Sequence, residues 1–384
     1  MKIRSLQPLN LCNLRNLRII FLGVIAVQNI VVQRLHNQQL EQTSLHMPGE
    51  VVAWLGAVQA QEYGPAKWAL GLRLQPGVTD TDVEQAFTDG LVLRTHVMRP
   101  TWHFVTPADI RWLLDLTAPR VNQANAYMYR KLELDDALFR RSNAAIARAL
   151  QGGQQLTRTE LGAMLAEIGV VAEGMRLGYI VHRAELDAIV CSGERRGKQF
   201  TYALLDERAP QARTLARDEA LAELTGRYFT SHGPATAEDF AWWSGLTRAD
   251  VKAGLEMVAS QLVHEMIDGK TYWFSTSTPP PRETSHQAFL LPTYDEFVIG
   301  YTDRSAMFDA AHTHQLRPRD NIVFDSMIVI DGRVVGSWRR TFKKGAVVVE
   351  LAPFAPLTAA EGEAVTVAAQ RYGEFVGMPV KCTM

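Results

Sequence analysis

Two glutamines separated by a single alanine, Gln59 and Gln61, combine a residue type and a spacing that could do chemistry. Their neutral amides donate and accept hydrogen bonds without having to ionise. Side chains two residues apart diverge by roughly 200° on a helix, whereas in an extended segment they lie on one face. The pair therefore forms a joint site only where the chain is extended. The alternative is two surface glutamines in a turn.

The residues around this pair predict a helix that ends beside it. Val51, Leu55 and Val58 recur at helical spacing and indicate an amphipathic helix. Gly64 and Pro65 follow, and proline disfavours helical geometry in the residue before it. We therefore expect both glutamine side chains to converge where the helix ends.

Composition and charge place the chain among ordinary globular proteins. The 384 residues are 47% hydrophobic and 21% charged, with a net charge of −1. A globally basic nucleic-acid binder is excluded, so such binding must come from local patches. Cys12, Cys191 and Cys382 lack CxxC or metal-ligand spacing. This pattern favours a reducing cytoplasm and argues against disulfides or structural zinc.

Residues 1–33 do not match the rest of the chain. Basic residues precede an apolar run, Ile19 to Val32, which Gln28 and Asn29 interrupt. No small-residue cleavage site follows, and the run is too short for a membrane span. We expect an N-terminal extension produced by a mis-called start rather than a membrane anchor.

The remaining sequence predicts an α+β protein with a repeated pattern of helices followed by a β-hairpin. This pattern indicates three tandem winged helix-turn-helix units, at residues 34–135, 136–210 and 211–275. A Ser/Thr/Pro linker spans Ser275 to Ser285. Residues 286–384 alternate in strand fashion before a closing helix, Thr358 to Val376, and predict a small β-barrel.

Several short patterns resemble chemical motifs without meeting their requirements. Lys270 lies in a Gly-Lys-Thr sequence, but the first glycine of a phosphate-binding loop is missing. His312 and His314 could bind a metal, although such a pair in a loop is usually solvated. The acidic residues Asp295 and Glu296 are only sequence neighbours. We expect neither a metal nor a cofactor.

Basic residues cluster on separate predicted units. The clusters are Arg94, His96, Arg99 and His103 on the first hairpin, Arg195, Arg196 and Lys198 on the second, and Arg339, Arg340 and Lys343 in the C-terminal unit. Each cluster alone could be a solvated polar face. Repeated on wing-bearing units, they favour a segmented track for DNA phosphates.

Six sequence stretches resemble the winged-helix superfamily that contains the AlkZ and YcaQ DNA glycosylases. They are RLHNQQL, AVQAQ, MRPTWHFV, RYFTSHGPATAEDFAWWSGL, LLPTYDEFVIGYTDR and GRVVGSW, which span nearly all of residues 34–380. The resemblance implies three winged helices curved around a DNA channel and a C-terminal β-barrel. It also implies catalytic roles for Gln59 and Gln61, which match the Gln-aliphatic-Gln form of the motif. Pro100 and Trp102 depart from the Gly-Thr-Leu-His of the glycosylases, which would alter the range of lesions.

The resemblance implies a monofunctional DNA glycosylase that hydrolyses the N-glycosidic bond of alkylated purines, interstrand cross-links included. Its partner would be double-stranded DNA carrying alkylated bases. The protein would act as a monomer in the cytoplasm, at the nucleoid, without a cofactor or a membrane. The alternative is a non-catalytic winged-helix protein that binds DNA, such as a transcription regulator, or a toxin-resistance or structural module with the same fold.

Overall fold

The structure, a computed structural model, describes residues 27–41, 43–276, 287–309 and 325–383. Within these ranges the protein is α+β, with two three-stranded sheets, one two-stranded hairpin and one five-stranded sheet. No helix of these ranges is long and apolar enough to cross a membrane. Most of the predicted linker, together with His312 and His314, lies outside the described residues.

The first unit surrounds a three-stranded antiparallel sheet. Its elements are α1 (Val27–Asn37), α2 (Pro48–Leu55), β1 (Val58–Gln59), α3 (Tyr63–Gly71), α4 (Asp80–Thr88), β2 (Leu93–Val97), β3 (Thr101–Val105) and α5 (Ile110–Lys131). The strand order is β1-β3-β2. The predicted hairpin is confirmed, and Pro100 lies in its turn. The sequence pattern does not predict α5, because Pro119 lies inside it and consecutive residues such as Leu113 and Leu114 are buried.

The helix before the two glutamines ends earlier than the sequence pattern predicts. α2 stops at Leu55 because Gly56 takes a φ of 84°, which glycine adopts readily. Val58 consequently belongs to β1 and not to the helix. Gly64 and Pro65 lie in the first turn of α3, where a missing N–H removes no intrahelical hydrogen bond.

Helix α1 crosses the predicted boundary at residue 33. Its residues Ile30 and Val31 are buried in the hydrophobic core. The side chain of Arg34 is also buried, and its Nε donates to the carbonyl oxygen of Pro234 at 2.9 Å. The helix is thus packed against the third unit, because burying its apolar side chains stabilises that contact.

The second unit has a hydrophobic core of its own. Its elements are α6 (Asp136–Leu150), β4 (Leu156–Thr157), α7 (Arg158–Glu167), α8 (Gly174–Leu186), β5 (Val190–Ser192), β6 (Thr201–Leu204) and α9 (Leu205–Arg208). The strand order is β4-β6-β5. Leu161, Leu165 and Ile180 are fully buried in this core. Thr157 and Glu160 form a capping box that starts α7 at its predicted position.

The third unit repeats the arrangement of helices and hairpin. Its elements are α10 (Arg217–Ser231), α11 (Ala237–Ser244), α12 (Arg248–Met257), a 3₁₀ turn (Ala259–Gln261), β7 (Leu262–Ile267) and β8 (Lys270–Ser275). Thr236 and Asp239 form the capping box of α11. The predicted turn at Asp268 and Gly269 is confirmed, with φ values of 49° and 75°. Positive φ at both residues is the requirement of a tight hairpin turn.

The C-terminal unit is an open sheet rather than the predicted barrel. Its elements are β9 (Ala288–Leu291), α13 (Glu296–Ile299), β10 (Met327–Ile330), β11 (Arg333–Lys343), β12 (Ala346–Pro353), α14 (Ala359–Val376) and β13 (Val380–Thr383). The strand order is β13-β12-β11-β10-β9, and no pairing joins the two edge strands among the described residues. Residues 296–299, predicted as strand, are helical because the side chain of Asp295 accepts from the backbone N–H of Phe297.

A buried ion pair connects the first unit to the C-terminal unit. The guanidinium of Arg73, which follows α3, binds both carboxylate oxygens of Asp295 at 2.8 and 2.9 Å. Neither side chain is exposed. The bidentate geometry fixes the start of α13 against the first unit and so places Glu296 beside Gln59.

Candidate functional site

The segment of Gln59, Ala60 and Gln61 is a strand at Gln59 and bends at Gln61, so the extended geometry predicted for a joint site holds only for its first residue. Gln59 pairs with His103 of β3, and the backbone N–H of Ala60 donates to the carbonyl oxygen of Trp102 at 2.7 Å. Gln59 is 7% exposed and Ala60 is fully buried, whereas Gln61 is exposed. The segment therefore crosses from the core to the surface within three residues.

The amide of Gln59 has one fixed orientation. Nη2 of Arg99 lies 3.0 Å from Oε1 of Gln59. Because a guanidinium carries donors and no acceptor, the atom that faces it must be the amide oxygen. The amide nitrogen of Gln59 therefore points away from Arg99.

Glu296 holds the backbone of the same residue. Its Oε1 accepts from the N–H of Gln59 at 2.8 Å, and its Oε2 accepts from Nε1–H of Trp243 at 2.8 Å. Nε2 of His232 lies 3.5 Å from the same Oε2. Burial alone would raise the pKa of Glu296, but His232 and the Gln59 hydrogen bond outweigh it, and the pKa lies below its usual value. A buried carboxylate thus anchors the first glutamine.

Gln61 retains free hydrogen-bonding capacity. Its Oε1 accepts a long hydrogen bond, 3.4 Å, from the backbone N–H of Trp102. An amide oxygen has a second lone pair, and the amide nitrogen has two donors. The exposed Gln61 side chain can therefore bind a water molecule or a ligand. The side-chain oxygen of Gln59, in contrast, already accepts a hydrogen bond from Arg99.

Arg94 and His103 do not lie on the surface where phosphate contacts were expected. Nε of Arg94 donates to the carbonyl oxygen of Ala60 at 3.0 Å, and its guanidinium lies 4.1 Å from the ring of Trp102. His103 is fully buried, and burial lowers its pKa to about 3, so it is neutral. Both side chains are buried, and neither is available for a phosphate contact.

His96 also contacts protein groups. Its Nδ1 lies 2.6 Å from Oε2 of Glu185, and its ring lies 3.8 Å from that of Trp102. Strand alternation places His96 and Trp102 on one face of the sheet and Gln59 and His103 on the other. His96 and His103 therefore lie on opposite faces of the first hairpin, and Arg99 lies in its turn.

The remaining predicted basic residues differ in exposure. Arg195 is paired with Glu84 at 3.3 Å, and Arg196 with Glu160 at 2.8 Å. Lys198 is exposed near the same turn of the second hairpin. On β11 the residues Arg339 and Lys343 are exposed and Arg340 is half-buried. The surface thus retains candidates for phosphate contact on the second and C-terminal units.

Sequence reasoning missed Glu296 as an anchor, and it also missed Trp242. The indole of Trp242 is 45% exposed, and the guanidinium of Arg99 lies 5.4 Å from its ring. Nε1 of Trp242 donates to the carbonyl oxygen of Ile299 at 3.2 Å. The available signal was the position of Trp242 beside Trp243 in α11, because adjacent residues of a helix point in different directions.

Among the described residues, no group of three His, Cys, Asp or Glu could hold a metal ion.

Comparisons with known proteins identify the family. A sequence model described as DNA glycosylase AlkZ-like matches residues 52–375. The chain is 24% identical over 324 residues to the interstrand DNA cross-link repair glycosylase of Streptomyces sahachiroi, covering 81% of this chain and 87% of that protein. Its fold is similar to that of Streptomyces sahachiroi DNA glycosylase AlkZ, with a TM-score of 0.77 and 22% identity, covering 93% and 99% of the respective chains. The chain belongs to the AlkZ-like DNA glycosylase family, whose members are hydrolases of N-glycosyl bonds that act on DNA.

Proposed function

We propose that this DNA glycosylase is monofunctional and excises N-alkylated purines from double-stranded DNA, with Gln61 positioning the attacking water. The related Streptomyces protein is named for the repair of interstrand cross-links. We extend the substrate class to cross-links that are joined through alkylated purines. A purine alkylated at N7 carries a positive charge and leaves without a general acid.

The chemistry that remains is to place a water at C1′ and to stabilise a cationic sugar. Gln61 can accept a hydrogen bond from that water, because its oxygen keeps a free lone pair and is exposed. Positioning converts the attack into an effectively unimolecular step. The amide dipole favours developing positive charge, and no titration is needed to prepare it.

The fixed orientation of Gln59 is the observation that carries this proposal. Arg99 binds the oxygen of its side chain, and Glu296 accepts from its backbone N–H. These two contacts hold the motif rigid and leave Gln61 at the surface. Glu296 also places a buried negative charge near the site, which complements a cationic sugar.

A Schiff-base mechanism has less support than hydrolysis. Lys67 is the lysine nearest to the motif along the chain. Its Nζ contacts Asp80 and Glu84 at 2.8 Å each. Two carboxylates bind this amine, whereas a nucleophilic lysine needs an amine that is free to attack.

The three helix-and-hairpin units, at residues 34–135, 136–210 and 211–275, are proposed as winged helices that form a curved DNA channel. Exposed cations on the second hairpin and on β11, Lys198, Arg339 and Lys343 among them, are the proposed phosphate contacts. We further propose a monomer that acts at the nucleoid. The free thiols of Cys191 and Cys382 are compatible with that reducing compartment.

The test is incubation with a duplex that carries one N7-methylguanine, followed by alkaline cleavage at abasic sites. We expect cleavage at that position and no covalent product after borohydride treatment. A trapped covalent product would contradict hydrolysis by water. Binding of the duplex without base loss would favour the non-catalytic DNA-binding alternative.

A further inference from the structure

Three side chains meet beside Gln59, where the first hairpin approaches the third unit and the C-terminal unit. They are Arg99 in the hairpin turn, Trp242 near the end of α11, and Arg304 in the segment after α13. The guanidiniums of Arg99 and Arg304 lie 5.4 and 6.0 Å from the centre of the Trp242 ring. The indole therefore has one cation beside it from the first unit and another from the C-terminal unit.

Close backbone packing holds these side chains in place. A Cβ added at Gly245, which follows α11, would approach a carbonyl oxygen of the hairpin turn to 2.8 Å. Nε1 of Trp242 donates to the carbonyl oxygen of Ile299 at 3.2 Å, and Nε of Arg304 donates to that of Val298 at 2.8 Å. The turn, α11 and α13 thus form one surface around the indole.

Most hydrogen-bonding capacity of the two guanidiniums is unused. A guanidinium has five N–H donors, yet within the described ranges Arg99 forms one hydrogen bond, to Gln59, and Arg304 forms one, to Val298. Nε of Arg99 and Nη2 of Arg304 are buried and have no hydrogen-bond partner in this part of the chain. Because buried polar atoms normally have a partner, these donors indicate that a ligand with acceptor oxygens binds here.

The two positive charges also lack a partner. Among the described residues, neither arginine forms an ion pair with a carboxylate. Glu296 and Asp239 attract them from a distance, but Oε1 of Glu296 accepts from the backbone of Gln59, and Oδ1 of Asp239 accepts from two backbone N–H groups at 2.9 and 3.0 Å. Burial lowers the pKa of both guanidiniums, and the charge of Arg99 lowers the pKa of Arg304 further. An anion bound between them would relieve this repulsion.

A phosphodiester has the properties that this surface requires. It carries one negative charge and two free oxygens, and guanidinium groups bind phosphate oxygens in a planar, bidentate geometry. The exposed face of Trp242 is apolar and suits the deoxyribose that adjoins each phosphate. The exposed cations of β11 lack such a built environment, so they suit contacts that do not fix one phosphate.

We propose that Arg99, Trp242 and Arg304 form a binding site for one phosphodiester of the damaged strand, which sets the position of that strand relative to Gln59. This inference rests on the proposed function, because it assumes that the target nucleotide lies at the glutamine motif. Phosphates of one strand follow each other about every 3.4 Å along the helix axis, and Arg99 contacts Gln59 directly. The bound phosphate therefore belongs to the target nucleotide or to its immediate neighbour.

The test uses the full-length protein and duplexes that carry one N7-methylguanine and one uncharged methylphosphonate, placed in turn at each phosphate near the lesion. Arg304→Met removes one guanidinium, and Arg304→Lys keeps the charge without the planar fork. Trp242→Leu removes the indole at an exposed helix position where leucine is a good helix former. Arg99 is left unchanged because it also contacts Gln59.

Arg148→Met is the matched control for Arg304→Met. Arg148 is exposed on α6, and its Nε likewise donates to a backbone carbonyl oxygen. Thermal melts check that every variant is folded. Trp242→Leu tests the same site without altering the packing of Arg304.

We expect Arg304→Met to bind the unmodified duplex about tenfold more weakly and to lower the slope of log affinity against log salt by about 0.9. Arg304→Lys should keep the slope and recover part of the affinity. Trp242→Leu should weaken binding about threefold, since it removes one face from both cations. Arg148→Met should match the wild-type protein.

The methylphosphonate series identifies the phosphate itself. At one position near the lesion the substitution should weaken wild-type binding about tenfold and leave the affinity of Arg304→Met nearly unchanged, because that contact is already lost. A wild-type salt slope in Arg304→Met, or the same methylphosphonate profile in both proteins, overturns the inference. Calorimetry with inorganic phosphate tests the other source of this anion: binding that depends on Arg304, with an unchanged salt slope on DNA, would assign the site to a free ion and overturn the inference as well.

Excision of N7-methylguanine is measured in parallel with the same proteins. Excision by the wild-type protein with identical methylphosphonate profiles in both proteins defeats the inference and leaves the proposed function intact. An Arg304-dependent effect at one phosphate without base excision supports the site and defeats the proposed reaction.

Discussion

Nη2 of Arg99 donates to Oε1 of Gln59 across 3.0 Å, although the two residues lie 40 positions apart in the chain. The contact gives the two glutamines different states. The oxygen of Gln59 is bound by a cation, and the oxygen of Gln61 has only a long backbone contact. The motif therefore combines a fixed residue with an available one, and this difference is why we propose that Gln61 positions the water.

Gln61→Ala should lower the excision rate far more than DNA affinity, because it removes a group that positions water rather than a phosphate contact. Single-turnover excision and equilibrium binding to the same duplex measure the two effects. Gln123→Ala, at an exposed position on α5, is the matched control. Equal losses of rate and affinity would argue against the assignment, and a thermal melt checks that the variant is folded.

Arg99→Met should lower excision by about tenfold to a hundredfold, since hydrogen bonds to charged groups contribute about 1.5–3 kcal/mol. The expected cause is free rotation of the Gln59 amide. Arg99→Lys keeps one donor and should recover part of the rate. A merely structural role predicts a lower melting temperature with similar losses in both variants. An unchanged rate in Arg99→Met would remove Arg99 from the site.

Replacing Arg339 and Arg340 together by alanine should weaken binding to every DNA sequence alike. Each lost phosphate contact reduces the slope of log affinity against log salt by about 0.9. Fluorescence anisotropy at several salt concentrations measures the slope. The pair Arg140→Ala and Arg141→Ala removes the same charge from α6 and serves as the control. A slope like that of the control would place β11 away from the DNA.

Stability should fall in acid through Asp109. Burial alone would raise the pKa of this carboxyl, but hydrogen bonds from Arg227 and Arg213 at 2.7 and 2.6 Å hold it at about 2. The unfolded value is about 3.9, so the stabilisation is complete above pH 4 and is lost as the pH falls towards 2. The contribution is about 2 kcal/mol.

Urea unfolding between pH 6 and pH 2 measures this effect. The free energy of unfolding of the Asp109→Asn variant should fall less steeply than that of the wild-type protein. Asp115→Asn, at an exposed position of helix α5, which Asp109 precedes, should follow the wild-type curve. Parallel curves for Asp109→Asn and the wild-type protein would mean that this carboxyl does not titrate on unfolding.

Local sequence determined several element boundaries, because their signals act over a few residues. Thr157 and Glu160 start a helix by satisfying each other's backbone N–H groups. Asp268 and Gly269 form a tight turn because both accept positive φ.

Only the tertiary structure decided which polar residues are exposed and which are buried. Arg94 and His103 carry the same signal in the sequence as surface cations, yet packing buries both. Glu296 meets Gln59 across 237 positions of sequence, and the C-terminal strands remain an open sheet. Such contacts depend on where separate units pack, and side-chain type and spacing alone do not encode that placement.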